Sequence, residues 1–187
     1  MRESLTADSL NRFMQALAGT AGAPSRVYLV GGASAVLLGW RSSTIDLDLK
    51  LIPETDELLR SLPRLKEQLN INIELASPDD FIPPLPGWEE RSQFIQQQGR
   101  LAFYHYDFYA QALAKIERRH ERDIDDVERL FLSRLVVPDR LLDLFASIED
   151  QIYRYPDLDA RAFRRAVENA VAQAREKLRG TASPSIG

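Results

Sequence analysis

The chain has 187 residues, 44% of them hydrophobic and 28% charged, with a formal net charge of −4. That length is enough for one domain with a sizeable core, or a core with a small helical appendage, and the charge offers no global basic field to attract nucleic acid. There is no cysteine, which excludes disulfides and thiolate metal sites and fits a cytoplasmic protein, and no apolar run approaches the roughly 20 residues that cross a bilayer.

The segment Met1-Arg2-Glu3-Ser4 leads into a polar amphipathic stretch rather than a signal peptide. Leu10, Phe13, Met14 and Leu17 recur at helical spacing and predict a helix over Leu5 to Leu17. Val27 to Val30 is a short, apolar, β-rich run and reads as a buried strand. Gly31-Gly32 breaks it, and Ala33 to Leu38 reads as a buried helix that stops near Gly39. From Ile45 to Leu51 the alternation is strict: Ile45, Leu47, Leu49 and Leu51 face one way, Asp46, Asp48 and Lys50 the other.

Thr55 to Leu69 predicts an amphipathic helix kinked at Pro63, and Ile71 to Leu75 a strand whose polar face is Asn72 and Glu74. Prolines at 78, 83, 84 and 86 predict an irregular loop or flap. Two strands around Gly99-Arg100 predict a hairpin, and the remainder reads as four helices over 108–120, 124–133, 138–153 and 160–178. The order implies an α/β (α+β) fold: a small mixed-sheet core over residues 1–107, a C-terminal helical region over 108–180 packed on it, and a disordered tail at the C-terminal end, 180–187.

The chemistry concentrates between Gly31 and Glu74. A small-residue turn opening a helix lets backbone N–H groups approach phosphates. Asp46 and Asp48 lie on one strand face with side-chain bases about 6.5–7 Å apart, within reach of one metal cluster. Should the next strand pair beside them, Glu74 joins. Three carboxylates around two Mg²⁺ ions form the usual machinery of phosphoryl and nucleotidyl transfer. Taken alone, D-x-D is also the pattern of a solvated edge-strand face; the glycine turn upstream shifts the balance, since two unmetallated aspartates repel each other.

Further along, Lys115, Arg119 and Arg122 would share a helix face at i, i+4, i+7, suited to phosphate oxygens or to pairing with Glu117 and Glu121. Arg41, just before the acidic strand, is a second phosphate-binding candidate. Asp123 is expected to cap a helix starting at Ile124, with Asp126 completing a capping-box-like pattern or orienting Lys115. Trp88, Phe94, Phe103, Tyr104 and Tyr106 read as packing residues, with Trp88 or Phe81 available to stack on a base if the proline segment covers a cleft. His105 reads as a hydrogen-bonded structural residue, and two isolated histidines do not make a zinc site.

Gly31-Gly32-x-Ser34, a helix, then hydrophobic-Asp46-hydrophobic-Asp48-hydrophobic resembles the signature of the DNA polymerase β-like nucleotidyltransferase superfamily. More narrowly, the chain is similar to bacterial minimal nucleotidyltransferases, including the toxin-type enzymes of abortive-infection and related toxin–antitoxin systems. The resemblance extends through Ser77-Pro78-Asp79-Asp80-Phe81-Ile82-Pro83-Pro84-Leu85-Pro86, Phe103 to Asp107, Ala114 to Arg118 and Asp123 to Val127. It implies that Gly31, Gly32 and Ser34 hold the triphosphate of an NTP, that Asp46 and Asp48 bind Mg²⁺, and that Lys115 belongs to the site. The third carboxylate, commonly Asp in the family, is here Glu74, as metal ligand or base. The implied activity is transfer of an NMP group to a hydroxyl on RNA (tRNA) or protein, with a cognate toxin or antitoxin as possible partner and no membrane. A catalytically weak antitoxin or binding module stands beside it as the alternative. An aminoglycoside-modifying enzyme, which shares the core fold, is a third reading.

Overall fold

The computed structural model describes residues 4–181 of the chain. It divides into two compact units: Met1–Ser77 with Arg91–Tyr106, and Pro78–Glu90 with Asp107–Gly187. The expected tail falls partly on Gly180 and Thr181, which belong to the last helix; its remainder, like residues 1–3, lies outside the described residues.

In the first unit five strands form one mixed sheet: β1 (Ser25–Val30), β2 (Asp46–Ile52), β3 (Asn72–Leu75), β4 (Gln93–Gln98) and β5 (Leu101–His105). Their order is β3-β2-β1-β5-β4. β1 runs antiparallel to β2 and parallel to β5, and β2 runs parallel to β3. β4 and β5 make the expected hairpin, with Gly99 in the left-handed region at φ +53° and the register slipping between Phe94 and Gln96. The α/β class expected from the sequence pattern is the class observed.

Among the described residues this unit carries α1 (Ala7–Ala18), α2 (Gly32–Leu37) and α3 (Asp56–Gln68). Thr6 and Ser9 form a reciprocal cap at the start of α1, each side chain accepting from the other's backbone N–H. Helix α3 continues through Pro63. The period-2 pattern of the strands and the 3.6-residue pattern of the helices meet in one core. Val27, Leu29, Leu47, Leu49, Leu51, Leu101 and Phe103 pack there with Leu10, Phe13, Met14 and Leu17 of α1 and Leu58, Leu62 and Leu65 of α3. The alternation that buries these residues sends Arg26, Tyr28, Asp46, Asp48, Lys50, Asn72, Glu74 and Tyr104 to the other face of the sheet. There Tyr28 stacks on Tyr104 with ring centroids 5.4 Å apart.

The second unit contains a short α4 (Trp88–Arg91, whose last residue falls to the first unit), α5 (Phe108–Arg118), α6 (Glu121–Leu132), α7 (Pro138–Ala146) and α8 (Ala160–Thr181). The proline-rich stretch is more ordered than its composition predicts. A 3-10 turn spans Pro78–Asp80, α4 closes it, and Ile82 and Leu85 between them are each 1% exposed, so buried apolar anchors fix what the prolines leave without N–H donors. The helix expected over 138–153 stops at Ala146, where Ser147 Oγ turns back to Leu144 O at 2.6 Å, and continues as a 3-10 segment, Glu149–Arg154. Ala166, Ala170 and Ala174 on α8 face Ile116, Val127 and Phe131 across a cavity of about 310 Å³, the space their short side chains leave.

Candidate active site

Register places the acidic residues. Asp48 lies opposite Val30, the last residue of β1, on one side and opposite Glu74 on the other. Asp46 lies opposite Asn72. β1 ends there because Gly31 turns the chain out of the sheet with φ +59° and ψ −121°, a conformation open to glycine and little else. A Cβ built on Gly31 would stand 3.6 Å from Asp48 Oδ2. The second aspartate of the D-x-D pair therefore sits directly beside the glycine turn.

Gly32 is required for a different reason. A Cβ there would fall 2.1 Å from Thr44 Oγ1 and 2.8 Å from Thr44 Cβ. Thr44 cannot easily withdraw, because its backbone exchanges two hydrogen bonds with Leu5, at 2.7 and 2.9 Å. The start of β2 is thus clamped against the start of α2 by the absence of a side chain.

The carboxylates are neighbours with a neutral group between two of them. Asn72 Nδ2 donates to Asp46 Oδ1 at 2.7 Å and to Glu74 Oε1 at 2.9 Å. Among the described residues no group of three or more His, Asp or Glu side chains is gathered as a ready metal cage. Asp46, Asp48 and Glu74 carry oxygen donors, the kind a hard divalent cation takes, on adjacent strands, and Asp46 and Glu74 already share the Asn72 amide.

Ser34 faces inward. It is 2% exposed, and its hydroxyl lies 3.1 Å from Leu29 O and 3.0 Å from His105 Nδ1. A hydroxyl has one proton; with that proton on Leu29 O, His105 Nδ1–H donates to Ser34 Oγ. Burial lowers the His105 pKa from 6.5 to about 4, so the ring is neutral. His105 is the structural histidine the sequence suggests. Arg41 is half-buried in the connection between α2 and β2.

Lys115 belongs to the second unit, on α5. Its ammonium is held by Asp123 Oδ1 at 2.8 Å and Asp126 Oδ2 at 2.7 Å, with all three side chains 10% exposed or less. Arg118 adds a fork onto Asp123, both contacts 2.9 Å. Burial pushes the Asp123 carboxyl up, but hydrogen bonds and charge from Arg118 and Lys115 outweigh it and hold the pKa below the usual value. Asp126 orients Lys115, as expected. Two expectations are corrected. Asp123 does not cap a helix at Ile124: α6 begins at Glu121 with His120 as its cap, and Asp123 is a buried ion-pair partner in the first turn. Nor do Lys115, Arg119 and Arg122 share one helical face. Arg119 takes a left-handed conformation, φ +59°, that ends α5, and its guanidinium donates to Ala162 O at 2.8 Å.

Gly31, Gly32, Ser34, Arg41, Asp46, Asp48 and Glu74 therefore all fall in the first unit, and Lys115 in the second. Two residues that the sequence places on the polar strand faces, without a part in the site, stand among the carboxylates. Asn72 links Asp46 to Glu74, a link visible only once β2 and β3 pair in parallel register. Lys50, two residues beyond Asp48 on the same face and opposite Tyr28, puts a cation on the acidic strand; the alternation alone carried that signal.

Comparison with protein families matches residues 8–175 to a model described as a nucleotidyltransferase of unknown function (DUF6036). No curated protein and no solved structure matches. Among the described residues no helix is long and apolar enough to cross a membrane.

Proposed function

The chain belongs to this family of nucleotidyltransferases of unknown function, and from that premise we propose that it transfers an NMP group from an NTP to a hydroxyl on RNA or protein, dependent on Mg²⁺. The observation that carries this reading is the approach of Asp48 to the glycine turn, 3.6 Å from the Cβ that Gly31 lacks. A triphosphate laid on the turn at residues 31–33 would meet backbone N–H groups there and have the acidic strand beside it.

Asp46, Asp48 and Glu74 are the residues that would hold Mg²⁺. When bound, the ion supplies charge neutralisation on the triphosphate and lowers the pKa of the attacking hydroxyl. In the transfer, the acceptor oxygen forms a bond to the α-phosphorus, the bond from that phosphorus to the bridging oxygen breaks, and pyrophosphate leaves. The hydroxyl proton passes to a carboxylate, for which Glu74, with its longer side chain, is the candidate. Lys50 and Arg41 stand in the same unit as candidate partners for phosphate oxygens. Lys115, neutralised in place by Asp123 and Asp126, is assigned to the activity by resemblance. Action within a toxin–antitoxin pair belongs to the same proposal.

One observation favours the second reading, a module that has kept the fold without the reaction. The Asn72 amide occupies the space between Asp46 and Glu74. Incubating the chain with α-labelled NTPs, Mg²⁺ and cell extract separates the two. Label on RNA or protein that disappears with Asp46→Asn supports transfer; no label with any of the four NTPs supports the module.

A further inference from the structure

Asn72 stands on the acidic face as the shared neighbour of two carboxylates. Parallel pairing sets its Cα opposite Asp46, and it precedes Glu74 by two residues on β3, so the pleat brings all three side chains to one face. Its amide nitrogen has two protons, and the bonds to Asp46 Oδ1 at 2.7 Å and Glu74 Oε1 at 2.9 Å use one each. Both acceptors are carboxylates, which makes these the stronger, charge-assisted kind.

The consequence is competition. The oxygens taken by the amide are the ones a divalent cation would take. We propose that Asn72 is a gate on the acidic site: its amide holds Asp46 and Glu74 together in the absence of metal and competes with a divalent cation for their oxygens. The proposal rests on the reading of Asp46, Asp48 and Glu74 as the Mg²⁺ site.

The side-chain chemistry explains why an amide suits this position. Aspartate there would add another negative charge and no donor. Alanine would leave Asp46 and Glu74 facing each other with nothing between them. An amide neutralises their repulsion in part, yet as a neutral group it yields to a doubly charged ion. Entry of a cation requires at least one charge-assisted hydrogen bond to break, a handicap of about tenfold or more in affinity. Free cation therefore binds weakly. A cation that arrives on a triphosphate brings oxygen ligands of its own and needs fewer from the protein. Asn72 thus selects the metal–nucleotide complex over the bare ion. It is a positioning residue, acting on phosphate chemistry through Asp46 and Glu74.

The test is binding of Mn²⁺ to the full chain without nucleotide, followed by calorimetry on the wild type, Asn72→Ala and Asp46→Asn. The gate requires Asn72→Ala to bind Mn²⁺ about tenfold tighter than the wild type or better, and Asp46→Asn to bind more weakly. Equal or weaker binding by Asn72→Ala, with binding by the wild type still lost in Asp46→Asn, overturns the gate and leaves the metal site standing. No binding by any of the three at millimolar Mn²⁺ overturns the metal site and the gate with it. A second measurement needs no variant. In the ¹⁵N-labelled wild type, the Asn72 side-chain NH₂ signals should shift and exchange faster with water as Mg²⁺ is added. Signals unmoved at Mg²⁺ concentrations where Asp46 responds would overturn the gate even if Asn72→Ala fails to fold.

Discussion

Ser34 Oγ and His105 Nδ1 lie 3.0 Å apart in the interior of the first unit, joining the first turn of α2 to the end of β5. Because the same hydroxyl reaches Leu29 O on β1, three elements meet at one oxygen directly behind the glycine turn. Ser34 supports that turn from the inside.

Stability should depend on pH through His105. Its pKa is lowered in the folded chain, from 6.5 to about 4. The unfolded chain takes up the proton first, so the contribution is intact above pH 6.5 and is lost as pH falls towards 4. The integrated effect is about 3 kcal/mol at the acid end of that window. His105→Asn, which keeps a donor, should flatten the dependence. Urea unfolding at intervals between pH 7 and 4 measures it; parallel curves for the two proteins would show that His105 is not the source.

The two glycines should fail for separable reasons. Gly31→Ala forces alanine into a glycine-only backbone conformation and should cost about 1–3 kcal/mol. Gly32→Ala drives a methyl group into Thr44 and should cost about 1–3 kcal/mol through overpacking. Thr44→Gly should rescue much of the second loss and none of the first. A double-mutant cycle in thermal melts reads the coupling directly, and additivity between Gly32→Ala and Thr44→Gly would rule the clash out.

Removing Lys115 should destabilise the helical unit. Lys115→Met leaves Asp123 with Arg118 alone and takes the cation from Asp126, two carboxylates each 5% exposed. The expected loss is about 3–5 kcal/mol. The Asp123 pKa is depressed, so its contribution is present above the ordinary aspartate value of 3.8 and lost as pH falls through the folded value. The deficit of Lys115→Met should therefore shrink in strong acid, which guanidinium melts at neutral pH and near pH 3 would detect.

Asp48→Asn should separate chemistry from folding. It keeps the shape beside Gly31 and removes one charge from a face that also carries Asp46 and Glu74. Thermal stability should hold or rise, while transfer of label from NTP should fall about 100-fold or more. Equal losses of folded protein and of label would make Asp48 a structural residue.

How far the sequence carries depends on the range of the interaction. The alternation from Ile45 to Leu51 is local, so the acidic face of β2 is legible residue by residue. The Gly31-Gly32 break is legible too, although what each glycine avoids is not, since Thr44 and Asp48 are distant in sequence. The contact of Asn72 with Asp46 spans 26 residues and needs the pairing of two strands. Around Asp123 a local pattern misled. An acid before Ile124 suits a cap, but a left-handed Arg119 ends α5 early and starts α6 at Glu121, which turns the carboxylate inward to Lys115 and Arg118.

β4 is the last strand on its side of the sheet, and Ile95 is the extra residue at its slip against β5. An open, flat strand edge is a template on which another chain can build. A bulge bends and twists such an edge and interrupts its row of donors and acceptors. Phe94, 59% exposed, sits at that irregularity, so the greasiest point of the outer strand is also the point least able to seed a fibre.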